Sequence, residues 1–445
     1  MSASAMLRDP IRLIPLLFLA LILVGTALLA LPVATSDGNA APLLTAFFTA
    51  TSAVSVTGLI VVDTPVYWSM FGQITILVLF QIGGFGIMTA ATLFGLMLGR
   101  GLGLRERMAT QVERNRIERG DAVSVIKLVL AITLVIEVVV AAILTARFHL
   151  THDFALGSAL WHGIFHSVSA FNNAGFSSFS DSVMSFQGDP VILSPIMLAV
   201  IITALGFPVM QDLRAEKLKW SRYTLHTKIT LLATGVLLVT GFIAMLGMEW
   251  GNPDTLGPMA LGEKALNAAF HSVMPRTAGF NSLDVGSFRD ETITVNYLLM
   301  FIGGGSAGTA GGIKITTFVV LIAVVVSEIR GQRDSGIFDR RFGSHIERQA
   351  LAVTVLAGSL IFLATLYIAS ITDLAFERVL FETISAFSTV GLSMGITGDL
   401  PPSAQFVITV LMFVGRVGTI TVATALALGS GSRTFRYPEE NPIVG

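Results

Sequence analysis

Ser385-Ala386-Phe387-Ser388-Thr389-Val390-Gly391-Leu392 ends a short apolar segment and has three counterparts in the same chain. Each counterpart runs through small or hydroxylated residues to one glycine, followed by Leu or Phe: Ser52–Leu59, Ser169–Phe176 and His271–Phe280. A phenylalanine precedes the glycine by ten positions in the first, second and fourth copies along the chain, and by nine positions in the third. Successive glycines lie 117, 104 and 112 residues apart. Repetition at this spacing indicates four duplicated units rather than chance.

The composition places these units in a membrane. The 445 residues are 53% hydrophobic and 13% charged, with a mean hydropathy of +0.77, whereas a soluble domain carries about 25% charged residues. The chain is therefore predicted to be a polytopic membrane protein. The absence of cysteine excludes disulfides and thiolate metal sites. Four Trp, five Tyr and no long basic tail argue against nucleic-acid binding.

Apolar segments alternate as long, short, long around each glycine. The long segments hold the roughly 20 residues that cross a bilayer, and the first is interpreted as a retained span rather than a signal peptide; they lie near Ile11–Leu31, Val66–Leu98, Val123–Ala146, Val191–Met210, Leu225–Met248, Thr292–Val326 (interrupted), Ala350–Ile371 and Ala404–Leu428. The short segments, of about 12 residues, reach only the middle of the membrane; they are Pro42–Val54, Leu156–Phe171, Leu261–Val273 and Phe376–Phe387.

This alternation predicts an all-α membrane protein with eight transmembrane spans and four re-entrant pore helices in a pseudo-four-fold arrangement. The predicted repeats are residues 8–104, 120–213, 222–330 and 348–429, followed by a tail at 430–445. In the eight-span topology, 21 of the 28 Lys and Arg fall on one side. The positive-inside rule makes that side, with both termini, cytoplasmic. The opposite mouth is rich in acids and is expected to concentrate cations.

The repeated loops have the chemistry of a cation site. A half-helix entering from outside points the negative end of its dipole at the membrane centre. The chain leaving it can turn carbonyl oxygens inward, and glycine adopts the required backbone freely. Rings of such carbonyls form potassium filters. The predicted filter residues are Val56, Thr57, Gly58, Asn173, Ala174, Gly175, Thr277, Ala278, Gly279, Thr389, Val390 and Gly391.

Thr389-Val390-Gly391 resembles the Thr-Val-Gly of potassium channels. Four membrane–pore–membrane units, each with one filter glycine, resemble the Trk/Ktr/HKT superfamily of potassium translocation proteins over residues 8–430. No extra pair of spans precedes the first unit, so the chain is more similar to the Ktr membrane subunit (KtrB) than to the longer Trk subunit. Related sodium-selective carriers have serine at the first filter position, whereas Gly58 is a glycine.

The resemblance implies potassium as the transported ion, sodium stimulation, and no organic cofactor in this chain. It also implies a homodimer in the lipid bilayer of the cell membrane. Its cytoplasmic loops, especially Arg100–Gly120 and Glu328–Arg348, would dock a nucleotide-binding regulatory ring of the KtrA type. The C-terminal region is expected at the dimer contact.

The second long segment of unit three is broken by a glycine-rich run. At about 1 kcal/mol per glycine relative to alanine, the run cannot stay helical; it reads Gly303, Gly304, Gly305, Ser306, Ala307, Gly308, Thr309, Ala310, Gly311, Gly312, Ile313, Lys314. It is not a phosphate-binding loop, because Lys314 follows Ile313 and no strand precedes the run. Close helix packing is the alternative. The resemblance implies an intramembrane gate below the filter.

Three sets of charged or titratable residues stand out. Arg416 lies in the last span, where a charge is costly; the resemblance places it in the pore as a barrier to cations. The alternative is a snorkelling side chain or a structural salt bridge, for example to Glu137. Arg276 is expected to brace the third filter loop from behind, against Glu382. The histidines His162 and His166 have metal-like spacing without a third ligand nearby, which favours a structural role.

Two other functions stay open at this stage. A secondary transporter of another class, with helices broken at the midplane, explains the interruption in unit three. Such folds show two-fold repeats and leave four pore segments unexplained. A membrane-embedded enzyme would have to rely on His162, His166 and scattered acids. No pairing of nucleophile and base supports that reading, so the protein is not expected to be an enzyme.

Overall fold

A computed structural model describes residues 10–100, 122–217 and 219–418, with side chains described for 14–86, 127–217 and 219–418. Several sequence predictions lie outside these residues: the ends of the first and fourth repeats, most of the loop Arg100–Gly120 and the tail 430–445.

The described chain is mostly helical. Its helices, in order, are α1 Pro10–Leu29, α2 Leu43–Val54, α3 Met70–Arg100, α4 Ala122–Thr151, α5 Leu156–Asn172, α6 Pro190–Ala204, α7 Phe207–Glu216, α8 Leu225–Glu249, α9 Leu261–Val273, α10 Asp290–Phe301, α11 Ile315–Ile329, α12 Ser344–Ile371, α13 Phe376–Phe387 and α14 Pro402–Phe413. A one-turn α-helix lies at Thr64–Tyr67, and a π-helical turn lies at Val414–Gly418. Short 3₁₀ turns occupy Pro32–Ala34, Met184–Phe186, Trp220–Arg222, Met274–Arg276, Val285–Ser287 and Thr397–Asp399.

The lengths and surfaces of the helices suit a bilayer. Three described helices are long and apolar enough to cross one, and the bent pair α6–α7 makes a fourth. Large apolar side chains lie exposed on their outer faces, as in α4, where Val135 is 63% and Val138 is 64% exposed. Such faces are stable against lipid chains, because the helix satisfies its own backbone hydrogen bonds. The chain is a multi-pass membrane protein.

The short helices α2, α5, α9 and α13 lie close to the predicted short segments, and the break between α10 and α11 confirms the predicted interruption. The prediction of a continuous span Val191–Met210 is wrong. The chain bends by 93° between α6 and α7. Gly206 at the bend has φ +89°, a left-handed conformation that a helix cannot contain.

A small departure from an all-α fold lies between α11 and α12. Strands β1 (Gly336–Ile337) and β2 (Arg340–Arg341) form an antiparallel hairpin in the loop predicted to dock a regulatory ring. The two residues between them, Phe338 and Asp339, both have positive φ. This is the backbone of a tight type I′ turn, which matches the twist of a two-stranded hairpin.

The phenylalanine that precedes each loop glycine is a core residue. All four are fully buried, and they are Phe48, Phe165, Phe270 and Phe381. Phe165 packs edge-on against Phe80 of α3, with ring centroids 5.7 Å apart. Each of the short helices α2, α5, α9 and α13 therefore contributes a fully buried ring to the core, and this ring anchors the helix close to the loop that follows it.

Candidate functional site: a ring of four glycine loops

The four glycine loops share one backbone conformation. Each glycine has a positive φ, between +66° and +92°. The residue two positions earlier also has a positive φ in every loop: Val56, Asn173, Thr277 and Thr389. A left-handed conformation is unfavourable for β-branched residues, so it is retained only where the surroundings enforce it. The same pair of positive-φ positions, two residues apart, therefore recurs in all four loops.

The four loops meet in a closed ring. A Cβ built on Gly58 would lie 3.1 Å from the Cα of Gly175, and one on Gly175 would lie 3.1 Å from the Cα of Gly279. In the same sense, Gly279 approaches Gly391 at 3.1 Å, and Gly391 approaches Gly58 at 3.2 Å. Each Cβ would also overlap or crowd a carbonyl oxygen of the neighbouring loop. Each loop therefore touches the next, and glycine is required at all four positions.

Serine side chains at the ends of three short helices form hydrogen bonds to the loops that follow them. The Oγ of Ser52 donates to the carbonyl of Leu59 at 2.7 Å and accepts from the N–H of Gly58 at 3.1 Å. Ser169 donates to Phe176 at 2.8 Å. In the fourth loop, Ser385 accepts from the N–H of Gly391 at 3.1 Å.

These serines were not predicted from the sequence as positioning residues. Their signal was a serine six residues before the glycine in three of the four copies. The third loop has Val273 at that position, and there α9 continues as the 3₁₀ turn Met274–Arg276. In this loop a 3₁₀ turn, rather than a serine side chain, connects the short helix to Thr277.

A cavity of about 430 Å³ opens on one side of the ring. It is lined by all four glycines and by the chain that follows them, including the acids Asp63, Asp181 and Asp284. Carboxylates around an entrance lower the electrostatic energy of an approaching cation. The cavity therefore has the charge that a cation vestibule needs.

The glycine-rich loop 302–314 lies against the opposite side of the ring. A Cβ on Gly311 would overlap the Oγ1 of Thr389 and lie 2.5 Å from the carbonyl oxygen of Ser388. The hydroxyl oxygens of Ser388, Thr389 and Thr309 are buried without a hydrogen-bond partner among the described residues. The loop begins and ends at a single parallel bridge between Ile302 and Ile313.

Two basic side chains hold this loop through backbone carbonyls. Arg416, 3% exposed, donates from Nη1 to the carbonyl of Thr309, and its Nε and Nη2 have no partner among the described residues. Lys314 donates from Nζ to the carbonyl of Ala310 at 2.6 Å. Arg416 thus lies at the depth of the glycine loop, as predicted. The alternative of a salt bridge to Glu137 is wrong, because no ion pair joins these two described residues.

The other charged residues take structural positions. Arg276 is buried, but it does not brace against Glu382 as expected. The carboxylate of Glu382 instead accepts from Ser393 at 2.9 Å and from Thr397, and no ion pair joins it to Arg276. These hydroxyls lie on the loop after Gly391, so Glu382 anchors the vestibule side of the fourth unit.

The histidines of α5 are packed and hydrogen-bonded. His162 Nδ1 lies 2.7 Å from Ser178 Oγ, and His166 Nε2 lies 2.9 Å from Ser177 Oγ. Both rings stack on Phe179. The described residues contain no group of three metal-ligating side chains. The geometry supports the structural role.

Asp189 immediately precedes α6, at the end of the segment that follows the Gly175 loop, and lies outside the helical segments. Its carboxylate accepts from Arg147 Nε at 2.7 Å, His152 Nε2 at 2.9 Å and the N–H of Val191 at 2.9 Å. Burial by itself would raise the pKa of this carboxyl, but the hydrogen bonds from Arg147 and His152 outweigh it, and the pKa lies below its usual value.

The apolar helices and the axial ring define a polytopic membrane protein with a site of carbonyl-bearing loops. The sequence profile of the family described as "TrkH: Cation transport protein" matches residues 14–434. The chain belongs to this family of cation transport proteins.

Similar proteins agree with this assignment. The chain is 40% identical to the Ktr system potassium uptake protein B of Bacillus subtilis over 98% of this chain and 97% of that protein. It is 36% identical to the protein of the same name from Vibrio alginolyticus, over 98% and 94%, and 34% identical to the potassium/sodium uptake protein NtpJ of Enterococcus hirae, over 98% and 97%.

A solved structure shares the fold. The crystal structure of the potassium transporter TrkH from Vibrio parahaemolyticus superimposes with a TM-score of 0.71, covering 93% of this chain and 84% of that one at 19% identity.

Proposed function

We propose that this chain is the potassium-translocating membrane subunit of a Ktr-type uptake system. The observation that carries the proposal is the closed contact ring Gly58–Gly175–Gly279–Gly391, because a ring of carbonyl-bearing loops can replace the hydration shell of one ion. The names of the relatives point to the identity of the transported ion. Potassium is the cargo, and the name potassium/sodium uptake protein of one relative supports a role for sodium as well.

In this proposal the described helices belong to eight spans and four re-entrant pore helices, arranged as the four repeats predicted from the sequence. The pore helices α2, α5, α9 and α13 end at the ring. The filter comprises the residues at and before each ring glycine: Val56, Thr57, Gly58, Asn173, Ala174, Gly175, Thr277, Ala278, Gly279, Thr389, Val390 and Gly391. The vestibule faces outward and both termini lie in the cytoplasm, in keeping with the positive-inside rule.

The gate of this proposal is the loop Gly303–Gly312 with Lys314 and Arg416. It lies against the ring face opposite the vestibule, so an ion that leaves the filter meets it first. Arg416 holds the loop through Thr309 and repels cations there. A homodimer and a regulatory ring of the KtrA type complete the proposed assembly, with the hairpin Gly336–Arg341 as part of the docking face.

The test is rubidium uptake by purified protein in liposomes. Rubidium should enter down its electrochemical gradient, without obligatory exchange for another ion. Replacement of Gly391 by Ser should remove the preference for potassium over sodium, since the new Cβ would overlap the carbonyl of Thr57. Strict counter-ion coupling would favour a carrier of another class, and the absence of flux would overturn the proposal.

A matched control separates the ring from general backbone strain. Gly38 has φ +74°, close to the +92° of Gly391, but a Cβ on Gly38 would meet nothing within 4 Å, and Gly38 does not line the cavity. Gly38→Ser carries a similar unfavourable backbone without the clash. It should leave the ion preference unchanged.

A further inference from the structure

The bend between α6 and α7 is a feature that the proposed function does not use. The two helices meet at 93°, and the bend is formed by Thr203–Phe207. The backbone turns at Gly206, whose φ of +89° suits only glycine. A Cβ there would overlap the carbonyl oxygen of Ser306, in the middle of the gate loop.

The gate loop is docked on this bend through the backbone. The N–H of Gly305 donates to the carbonyl of Ala204 at 2.7 Å, and the N–H of Phe207 donates to the carbonyl of Ala307 at 3.3 Å. The loop donates one of these hydrogen bonds and the bend donates the other. Each segment therefore pairs a backbone group of the other that has no helical partner at the break. A Cβ on Gly305 would overlap the carbonyl oxygen of Leu205. Glycine therefore permits the close approach from both sides.

The same bend contacts the ring. Thr203, fully buried, donates from Oγ1 to the side-chain oxygen of Asn173 at 2.9 Å. The amide nitrogen of Asn173 in turn donates to Thr277 Oγ1 at 3.3 Å, in the next loop of the ring. Phe207 packs against Phe171, at the end of pore helix α5. The bend thus lies between the second ring loop and the gate loop and touches both.

The far end of α7 is tied to another helix. Asp212 accepts at Oδ2 from the N–H and hydroxyl of Thr224, at 3.1 and 2.7 Å, and from the hydroxyl of Thr227 at 2.7 Å. These residues begin α8. A displacement of the start of α8 would therefore be transmitted along α7 to Gly206.

We propose that Thr203–Phe207 is the seat of the gate loop: the loop closes the path only while it is docked on this bend, and Thr203 links the docked state to the geometry of the ring. Opening then requires the two backbone hydrogen bonds at Ala204 and Phe207 to break. The regulated step is the docking of the loop, and movement of α7 shifts the equilibrium between the docked and undocked loop. This inference rests on the proposed function, which it extends by a second element of the gate.

The experiment uses the full chain in proteoliposomes and two readouts. The first is rubidium flux. The second is the reactivity of Ser306→Cys toward a water-soluble thiol reagent, which is specific because the chain has no cysteine. On this Cys background, Gly206→Ala should raise both the flux and the thiol reactivity about tenfold, since one lost hydrogen bond with added strain is worth at least that much.

Two further variants provide a control for backbone strain and a test of the same contact from the side of the loop. Gly38→Ala has a similar backbone, φ +74°, with nothing within 4 Å of the new Cβ, and should change neither readout. Gly305→Ala disturbs the same contact from the loop side without a positive φ, so it tests the seat even if Gly206→Ala does not fold. Its effects should match those of Gly206→Ala, and the double variant should add little to either.

A third variant tests the link to the ring. Thr203→Val keeps the shape of the side chain and removes the hydrogen bond to Asn173. It should lower the preference for rubidium over sodium about fivefold, which corresponds to one buried hydrogen bond. Unchanged thiol reactivity in both Gly206→Ala and Gly305→Ala would overturn the seat. Absence of flux in the parent protein would overturn the proposed function instead, and the thiol readout would still decide the docking.

Discussion

Replacement of Arg416 by Ala is the sharpest test of how the gate is held. The side chain is 3% exposed and, among the described residues, makes one hydrogen bond, from its charged Nη1 to the carbonyl of Thr309. A charge-assisted hydrogen bond of this kind contributes about 1.5–3 kcal/mol. Its loss should move the equilibrium between docked and undocked loop by roughly 10- to 150-fold. Removal of the positive charge also lowers the electrostatic barrier to a cation, so both effects have the same sign.

The assay is rubidium flux per protein molecule in liposomes, with the incorporated protein quantified. Arg416→Ala should raise the flux by at least about tenfold. Arg416→Lys keeps the charge but not the planar group that reaches Thr309, so it should give an intermediate increase if the hydrogen bond and the charge both matter. A thermal unfolding curve for each variant controls for misfolding. Unchanged or reduced flux in well-folded Arg416→Ala would refute both the electrostatic barrier and the role of Arg416 in holding the loop through Thr309.

Three further outcomes can be measured on the same preparation. Ser385→Ala leaves the N–H of Gly391 without its acceptor at 3.1 Å, and it should weaken the potassium preference by about fivefold in competition flux, whereas an unaltered preference would show that the helix end alone holds the loop. Phe381→Ala empties a fully buried site and should lower the free energy of unfolding by about 3–5 kcal/mol in a chemical melt, and a loss below about 1 kcal/mol would contradict its core role. The lowered pKa of Asp189 stabilises the fold above the unfolded pKa of about 3.9 and ceases to do so as pH falls through the folded value. Asp189→Asn should therefore be less stable than the parent at pH 7, with the difference shrinking below about pH 4; a constant difference would indicate that the charge is irrelevant.

Much of the site followed from local patterns. Gly58, Gly175, Gly279 and Gly391 were recognisable because each follows a short apolar segment, and all four have the positive φ that their role requires. The break at Gly303–Gly312 was predictable because glycine disfavours helix at every position. The bend at Gly206 was not, because a single glycine costs a helix only about 1 kcal/mol, and apolar residues continue on both sides of it.

Charged partners were the least predictable feature. Glu137 and Glu382 were plausible partners for Arg416 and Arg276 on charge alone. The structure gives Arg416 a backbone carbonyl and Glu382 two hydroxyls. A buried guanidinium can be satisfied by any hydrogen-bond acceptor, and the backbone carbonyls of a non-helical loop supply such acceptors as well as a carboxylate does.

The amino-acid sequence by itself determined that the chain lies in a membrane and where its four glycine loops turn, because hydrophobicity and backbone preference are properties of short segments. Tertiary structure decided that the four turns close into one ring, that the carbonyl of Thr309 accepts a hydrogen bond from Arg416, and that the glycine-rich loop 302–314 packs on the bend at Gly206. The contacting residues lie about a hundred positions or more apart in the chain. Only the packing of whole helices sets the distances between them.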